Sequence, residues 1–424
     1  MTEVGREGGA IAVEGAKERS WFAQLSVGEK RTFWASFGGF ALDAMDILLY
    51  SFVIPTLIVL WSMTRADAGL IATTALLVSA AGGWIGGILL DRFGRVVTLQ
   101  ATILWFSLFT ALSGLTNSFE QLLVVRGLQG LGFGAEWAVG AALMGEMVQP
   151  RHRGKALGFV QSAWAVGWGC AALLYTAAYA LLPETVAWRV LFFVGVLPGL
   201  FVLYLRRYVP ESSLLEAERQ SGDTGRFVEI FSRPLIRTTL FTALLAIGVQ
   251  GGYYAVMTWL PTFLRTVRGL TVLDSAGYLA VVIVAAWLGY VAGAYLTDAI
   301  GRRRCFALFS VCSVATVLAY TMIPVSDAMM LALGFPLGFF ASGTYSGIGA
   351  YFTELFPTRV RGSGMGFAYN FGRAVGATFP ALVGVLSADM PLATAIGLFT
   401  AAAYALVFLS ILVLPETRGR VLHS

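Results

Sequence analysis

Gly87-Ile88-Leu89-Leu90-Asp91-Arg92-Phe93-Gly94-Arg95 is the stretch on which the reading of this chain turns. It ends a long apolar run with one acid, two bases and a glycine. Charge placed so abruptly after apolar residues marks the point where a helix leaves hydrocarbon for water. A weaker copy, Asp298-Ala299-Ile300-Gly301-Arg302, ends another apolar run 207 residues later. A second pattern also recurs. Glu146, Arg153-Gly154 and Gly158-Phe159 return as Glu354, Arg361-Gly362 and Gly366-Phe367, at an offset of 208. Two signatures at nearly one offset make the chain an internal duplication.

Working outward from these signatures, apolar runs fall at about 33–61, 67–90, 98–116, 121–148, 155–181 and 189–207. The second set falls at about 236–264, 273–298, 305–323, 328–355, 363–388 and 392–414. Each is long enough for a membrane helix, which takes roughly 20 apolar residues. The chain has 424 residues, 57% of them hydrophobic and 12% charged, with mean hydropathy +0.75. That is too little charge to cover a soluble surface, and it suits a surface that faces lipid. The expected fold is therefore an all-α polytopic membrane protein of twelve transmembrane helices in two six-helix halves. The expected parts are an N-terminal tail (1–32), an N-terminal bundle (33–207), a linker (208–235), a C-terminal bundle (236–414) and a C-terminal tail (415–424). The first 20 residues read as a disordered cytoplasmic tail, because they contain no apolar run of signal-peptide type.

The net charge of +5 does not indicate nucleic acid, because its placement is topological. Of the 29 Lys and Arg residues, 23 fall in the two tails and in alternate loops, and only Arg65, Arg189, Arg265 and Arg268 fall in the opposite loops. This is the positive-inside pattern, and it places both termini in the cytoplasm. Cys170, Cys305 and Cys312 have neither disulfide nor zinc spacing and read as small core residues. His152 and His423 lie in cytoplasmic segments, so proton coupling would fall to carboxylates.

The motif Gly87–Arg95 resembles the loop signature between helices 2 and 3 of the major facilitator superfamily. Asp298–Arg304, Arg126-x-x-x-Gly130-x-Gly132-x-Gly134-x-Glu136, Pro210-Glu211-Ser212 and Pro415-Glu416-Thr417 resemble its other recurring elements. Leu42-Asp43-Ala44-Met45-Asp46 is similar to the helix 1 motif of sialate:proton and aromatic-acid:proton symporters. Tyr351-Phe352-Thr353-Glu354-Leu355-Phe356-Pro357-Thr358-Arg359 resembles the organic-ion branch. The helix 4 run Gly130–Trp137 leans toward the sialate type. The resemblance implies the major facilitator fold and rocking of two halves. It also implies a gating latch of charge contacts across the halves, made by Asp91, Arg92, Gly94 and Arg95 with Asp298, Arg302, Glu146, Arg153, Glu354 and Arg361. Ordinary solvated loop charge is the plainer reading of those residues.

Asp43 and Asp46 share one helix face, roughly 15 and 20 Å into the bilayer at 1.5 Å per residue. Acids at that depth need a wet cavity or a partner, and they mark a function by default. Glu136 lies roughly 22 Å into the fourth span. Arg126 reads either as a snorkelling side chain near the outer interface or as a counter-ion for Asp43 or Asp46. Arg373 lies roughly 15 Å into the eleventh span and needs an anion, either a bound carboxylate or an aspartate of helix 1. Shifting Asp43 and Asp46 by 207 gives Gln250 and Tyr253. Shifting Arg373 back by 209 gives Trp164. Those residues, with Tyr254, Trp168, Tyr345, Tyr369 and Asn370, are candidate cavity walls, although core packing is the plainer reading for any one aromatic. The clustered glycines Gly82, Gly83, Gly86 and Gly87, and Gly130, Gly132 and Gly134, read as close helix packing.

These features lead to a secondary transporter rather than an enzyme. It is expected to be a proton-coupled symporter of a small organic anion such as sialate, an aromatic acid or a monocarboxylate. The proton set is Asp43, Asp46, Glu136 and Arg126, and the substrate set is Arg373, Gln250, Tyr253, Tyr254, Asn370, Tyr345 and Trp164. The energy source is the proton gradient, with no cofactor and no metal. The partners are the substrate, protons and lipid, with no nucleic acid, and the unit is a monomer in a bacterial-type inner membrane. A proton-coupled exporter of organic cations is a rival that the buried Arg373 disfavours. A non-transporting solute sensor is another.

Overall fold

The computed structural model describes residues 21–93, 95–147, 150–200, 202, 227–357 and 360–418. Within them the side chains of 87, 88, 90–92, 95, 135–147, 150–155, 273, 353, 361 and 362 fall outside the description. Among the described residues, helices joined by short turns are the only regular secondary structure. The first half comprises α1 (Val27–Leu60), α2 (Arg65–Phe93), α3 (Arg95–Ser113), α4 (Phe119–Met147), α5 (Pro150–Leu181) and α6 (Glu184–Val194). The second comprises α7 (Ile236–Thr266), α8 (Val272–Ile300), α9 (Arg302–Met322), α10 (Asp327–Gly343, continued at Ile348–Leu355), α11 (Arg361–Gly376, continued at Phe379–Leu386) and α12 (Leu392–Val413). Among the described residues, nine helices are long and apolar enough to cross a membrane. The others are α4, the short described part of α6, and the two-piece α11.

The helices match the apolar runs closely, and the differences have local causes. α1 begins at Val27, inside the stretch expected to be tail. Ser26 caps it, with Ser26 N donating to Glu29 at 2.8 Å and Glu29 N donating to the Ser26 hydroxyl at 3.2 Å. That reciprocal pair satisfies two backbone donors and starts the helix earlier than hydropathy suggests. α10 passes through a 3₁₀ turn at Thr344–Gly347, and α11 is interrupted after Gly376. Of the cysteines expected in the core, only Cys305 is buried; Cys170 is exposed.

The packing repeats as the sequence does. α1 lies on α5 and α2 on α4 in the first half, as α7 lies on α11 and α8 on α10 in the second. The halves meet through α2 with α11, α5 with α8, and α1 with α7. The glycines lie where backbones touch. Gly82 sits against the carbonyl of Leu131, Gly130 against Ala75 and Gly134 against Ser79, so any side chain there would drive α2 and α4 apart. Gly301 joins α8 to α9 at φ +97°, a left-handed backbone that costs glycine little.

Candidate functional site

α1 carries both aspartates into the centre of the molecule, where both are buried. Their neighbours differ. The Thr110 hydroxyl of α3 donates to Asp46 at 2.6 Å, and Gln129 of α4 donates to Thr110 at 3.2 Å. Arg126 lies within electrostatic reach of Asp46. Gly195 packs so close to Asp46 that a Cβ there would sit 2.7 Å from its Oδ1. Asp43 instead interacts electrostatically with Arg373 and Tyr254. Two residues one turn apart on one helix thus answer to arginines of different halves.

Arg126 does not snorkel. It is 1% exposed, donates to the Ile47 carbonyl at 3.4 Å, and lies over the rings of Tyr50 and Phe192 at 5.3 and 5.8 Å. Its Nε and Nη1 have no hydrogen-bond partner among the described residues. Arg373, 2% exposed, is held between the rings of Phe133 and Tyr369, each 5.0 Å away. Its Nε and Nη1 are likewise unmatched among the described residues. A buried guanidinium with open donors has the geometry that can pair with a planar, two-oxygen anion.

The residues obtained by shifting along the repeat do converge. Trp164 Nε1 donates to the Tyr253 hydroxyl at 2.7 Å, a bond between the two halves. Tyr345 packs edge-on to Tyr253 at 5.2 Å, and its hydroxyl has no partner among the described residues. Gln250 donates to the Tyr369 carbonyl at 2.9 Å and accepts from Tyr254 at 3.4 Å. Asn370 faces elsewhere: its amide donates to Gly366, and its oxygen lies where a Cβ on Gly83 of α2 would fall. Trp164, Tyr253, Tyr254, Arg126, Ile47 and Met257 surround a cavity of about 30 Å³. That holds roughly one water. Glu136 lies outside the described side chains.

Phe133, Thr110 and Gln129 were not singled out from sequence. Gln129 carried a signal, being an amide in the middle of an apolar run. Phe133 carried none, because an aromatic in a span is ordinary.

One mouth of the molecule is closed. Arg265 at the end of α7 pairs with Glu184 at 3.2 Å, and Thr56 at the end of α1 donates to Glu184 at 3.2 Å. Nearby, Thr73 of α2 accepts from the backbone of Ala381 at 3.1 Å, and Arg65 donates to the Ser387 carbonyl at 3.3 Å. Gly69 makes that approach possible, since a Cβ there would lie 2.6 Å from the Pro380 carbonyl oxygen. At the opposite mouth, Arg302 grips Glu354 with two nitrogens at 2.7 and 3.1 Å and Asp298 with a third at 2.5 Å, and Thr417 also donates to Glu354. All four belong to the second half. This part of the expected latch braces one half internally instead of linking the two. The side chains of Asp91, Arg92, Arg95, Glu146, Arg153 and Arg361, and all of Gly94, lie outside the described residues.

A family model described as Major Facilitator Superfamily matches residues 36–326 and 279–423. This chain belongs to that superfamily. It is 45% identical over 406 residues to a "Probable 4-methylmuconolactone transporter" of Cupriavidus pinatubonensis, covering 96% of this chain and 95% of that one. It is 32% identical to a "Cis,cis-muconate transport protein" of Acinetobacter baylyi, covering 84% and 87%. The fold matches the inward-open xylose transporter of E. coli with a TM-score of 0.73 at 17% identity, covering 92% and 97%. The family and these relatives are transporters, and a membrane transporter of organic solutes is what this chain is.

Proposed function

We propose that the protein is a proton-coupled symporter of a small organic anion, with Arg373 as the anchor for the substrate carboxylate. The observation that carries this lies along α1: Asp43 is within electrostatic reach of Arg373 and Asp46 within reach of Arg126, and Arg126 also lines the small cavity beside Trp164 and Tyr253. A substrate carboxylate arriving at Arg373 competes with Asp43 for the same cation. Charge balance in a site walled off from water then calls for a proton on the displaced aspartate. Substrate and proton would therefore enter together and leave together. Arg126 and Thr110 hold the second aspartate, Asp46, as a further proton site, with Glu136 as another.

Trp164, Tyr253, Tyr254 and Tyr345 present rings and hydroxyls, which favours a flat, unsaturated or cyclic acid over a sugar acid. The names of the relatives support this aromatic-acid side of the resemblance more than the sialate side toward which the glycine run of helix 4 leans. Muconate is thus the first substrate to try. The two halves alternate by opening the Arg265–Glu184 mouth and closing the other.

The test is uptake of labelled cis,cis-muconate and related acids into proteoliposomes with an imposed pH gradient. Accumulation should follow an inward proton gradient. Asp43→Asn should abolish gradient-driven accumulation while leaving exchange at equal concentrations. If Asp43→Asn accumulates substrate at the wild-type level, the coupling role assigned to it is wrong.

A further inference from the structure

A second cleft lies far from the transport cavity, on the outside of the second half between the start of α9 and the end of α12. It has a volume of about 520 Å³ and is lined by Arg303, Arg304, Arg418, Glu416, Phe408 and Leu412, among others. Three guanidinium groups and one carboxylate leave it strongly basic. The carboxylate is already engaged: Glu416 accepts from the backbone N–H groups of Arg302, Arg303, Thr417 and Arg418 at 2.9–3.0 Å. Arg303 is anchored too, donating to the Ile411 carbonyl at 2.6 Å. Arg304 and Arg418 are exposed, and neither side chain makes a hydrogen bond or ion pair among the described residues.

The cleft floor is apolar. Phe408 and Leu412 are 39% and 58% exposed, and along the same faces Leu308 and Val311 of α9 are 43% and 56% exposed. On a membrane helix such faces lie against acyl chains. The basic groups sit at the helix ends, on the side that the positive-inside pattern places in the cytoplasm.

The duplication adds an independent argument. Arg303 and Arg304 correspond to Val96 and Val97, and Arg418 corresponds to Ser213. Glu416 has a counterpart in Glu211. The frame therefore keeps the acid that ties the junction, whereas the three arginines have been added to one half only. Packing accounts for Arg303, which caps the end of α12, but neither packing nor the transport cavity accounts for Arg304 and Arg418.

We infer that this cleft binds the headgroup of an anionic phospholipid of the cytoplasmic leaflet, its phosphate between Arg304 and Arg418 and its chains along Phe408 and Leu412. A basic pocket between transmembrane helices on the cytoplasmic side has the chemistry such lipids require. A soluble phosphate would use the same arginines but would leave the apolar floor unfilled.

The experiment titrates the full chain, purified in neutral detergent, with phosphatidylglycerol, phosphatidylcholine or inorganic phosphate, reading bound lipid by native mass spectrometry and melting temperature in parallel. Phosphatidylglycerol should bind the wild type and raise its melting temperature, and the other two should not. The double variant Arg304→Gln/Arg418→Gln should bind it about thirtyfold more weakly, at roughly fivefold per arginine near an anionic surface. A charge-matched control elsewhere, Arg233→Gln/Arg237→Gln, should stay within about twofold of wild type. If the double variant does not fold, Arg418→Gln alone should show roughly the fivefold loss. The inference is overturned by unchanged binding in the cleft variants, by an equal loss in the control pair, or by inorganic phosphate producing the full shift.

Discussion

The two arginines at the centre of the protein invite comparison. Arg126 belongs to the first half and Arg373 to the second, both are buried, and both have two nitrogens unmatched among the described residues. Their surroundings differ. Arg126 stands beside a polar chain, Gln129 to Thr110 to Asp46, with a backbone carbonyl and two rings completing its shell. Arg373 is clamped between two aromatic rings, with Tyr254 and Asp43 near it. The first environment holds its aspartate through a fixed hydrogen bond. Under the proposed function, the second would exchange its aspartate for a substrate carboxylate. A duplicated frame has thus been filled unequally.

Removing the aromatic-clamped arginine gives the largest expected effect. Arg373→Ala should lower initial muconate uptake at least about 100-fold, the loss of one partner from a buried charge pair being worth a few kcal/mol. Arg373→Lys should recover little, because an ammonium lacks the two-pronged fork. Wild-type affinity in Arg373→Ala would dissolve the distinction drawn between the two arginines.

Arg126→Gln should act differently. Exchange at equal concentrations should persist, while the ratio of accumulated to external substrate falls by roughly tenfold, as expected if coupling rather than anchoring is lost. Equal losses of exchange and accumulation would make Arg126 a second anchor.

A smaller effect is expected at the closed mouth. Glu184→Gln removes a partly exposed ion pair with Arg265. Pairs of that kind are worth up to about 1 kcal/mol, so the balance between open and closed forms should shift by about two- to fivefold. Labelling rates of a cysteine introduced at Thr258 report that shift, and an unchanged rate would remove the pair from gating.

The smallest concerns stability. Burial would raise the Glu416 carboxyl, but four backbone donors outweigh it and hold it below the usual glutamate range. A carboxyl lowered by folding stabilises the fold at neutral pH, and the contribution disappears as pH falls through the acid range below the ordinary glutamate value. The melting temperature of wild type should exceed that of Glu416→Gln at pH 7, and the gap should narrow toward pH 4. A gap independent of pH would show that shape, and not charge, sets the role of Glu416.

The fold was largely legible in the linear chain. Span positions follow from hydropathy because lipid forces every backbone polar group into a helix. The superfamily followed from charges and glycines recurring at helix ends. Trp164 and Tyr253 were each reached by shifting a charged residue along the repeat, by 209 and 207 positions, but the bond between them was not legible. Other features were not legible. Capping at Ser26 moved the start of α1, because a hydrogen-bonded cap outweighs local hydropathy. Arg126 sits at a depth where snorkelling and burial read alike, and only packing against Tyr50 and Phe192 separates them. The brace around Arg302 joins residues of one half, a pairing that a repeated motif does not specify.

The sequence by itself determined the membrane frame, its two halves and the presence of acids and two arginines within its spans. Those features depend on transfer free energies summed along the chain, which the order of residues contains directly. The tertiary structure decided which arginine comes within electrostatic reach of which aspartate, that Phe133 forms one wall of the Arg373 clamp, and that Asn370 turns toward Gly83. Such choices rest on how helices rotate against one another, and rotation is fixed by packing among residues distant in the chain.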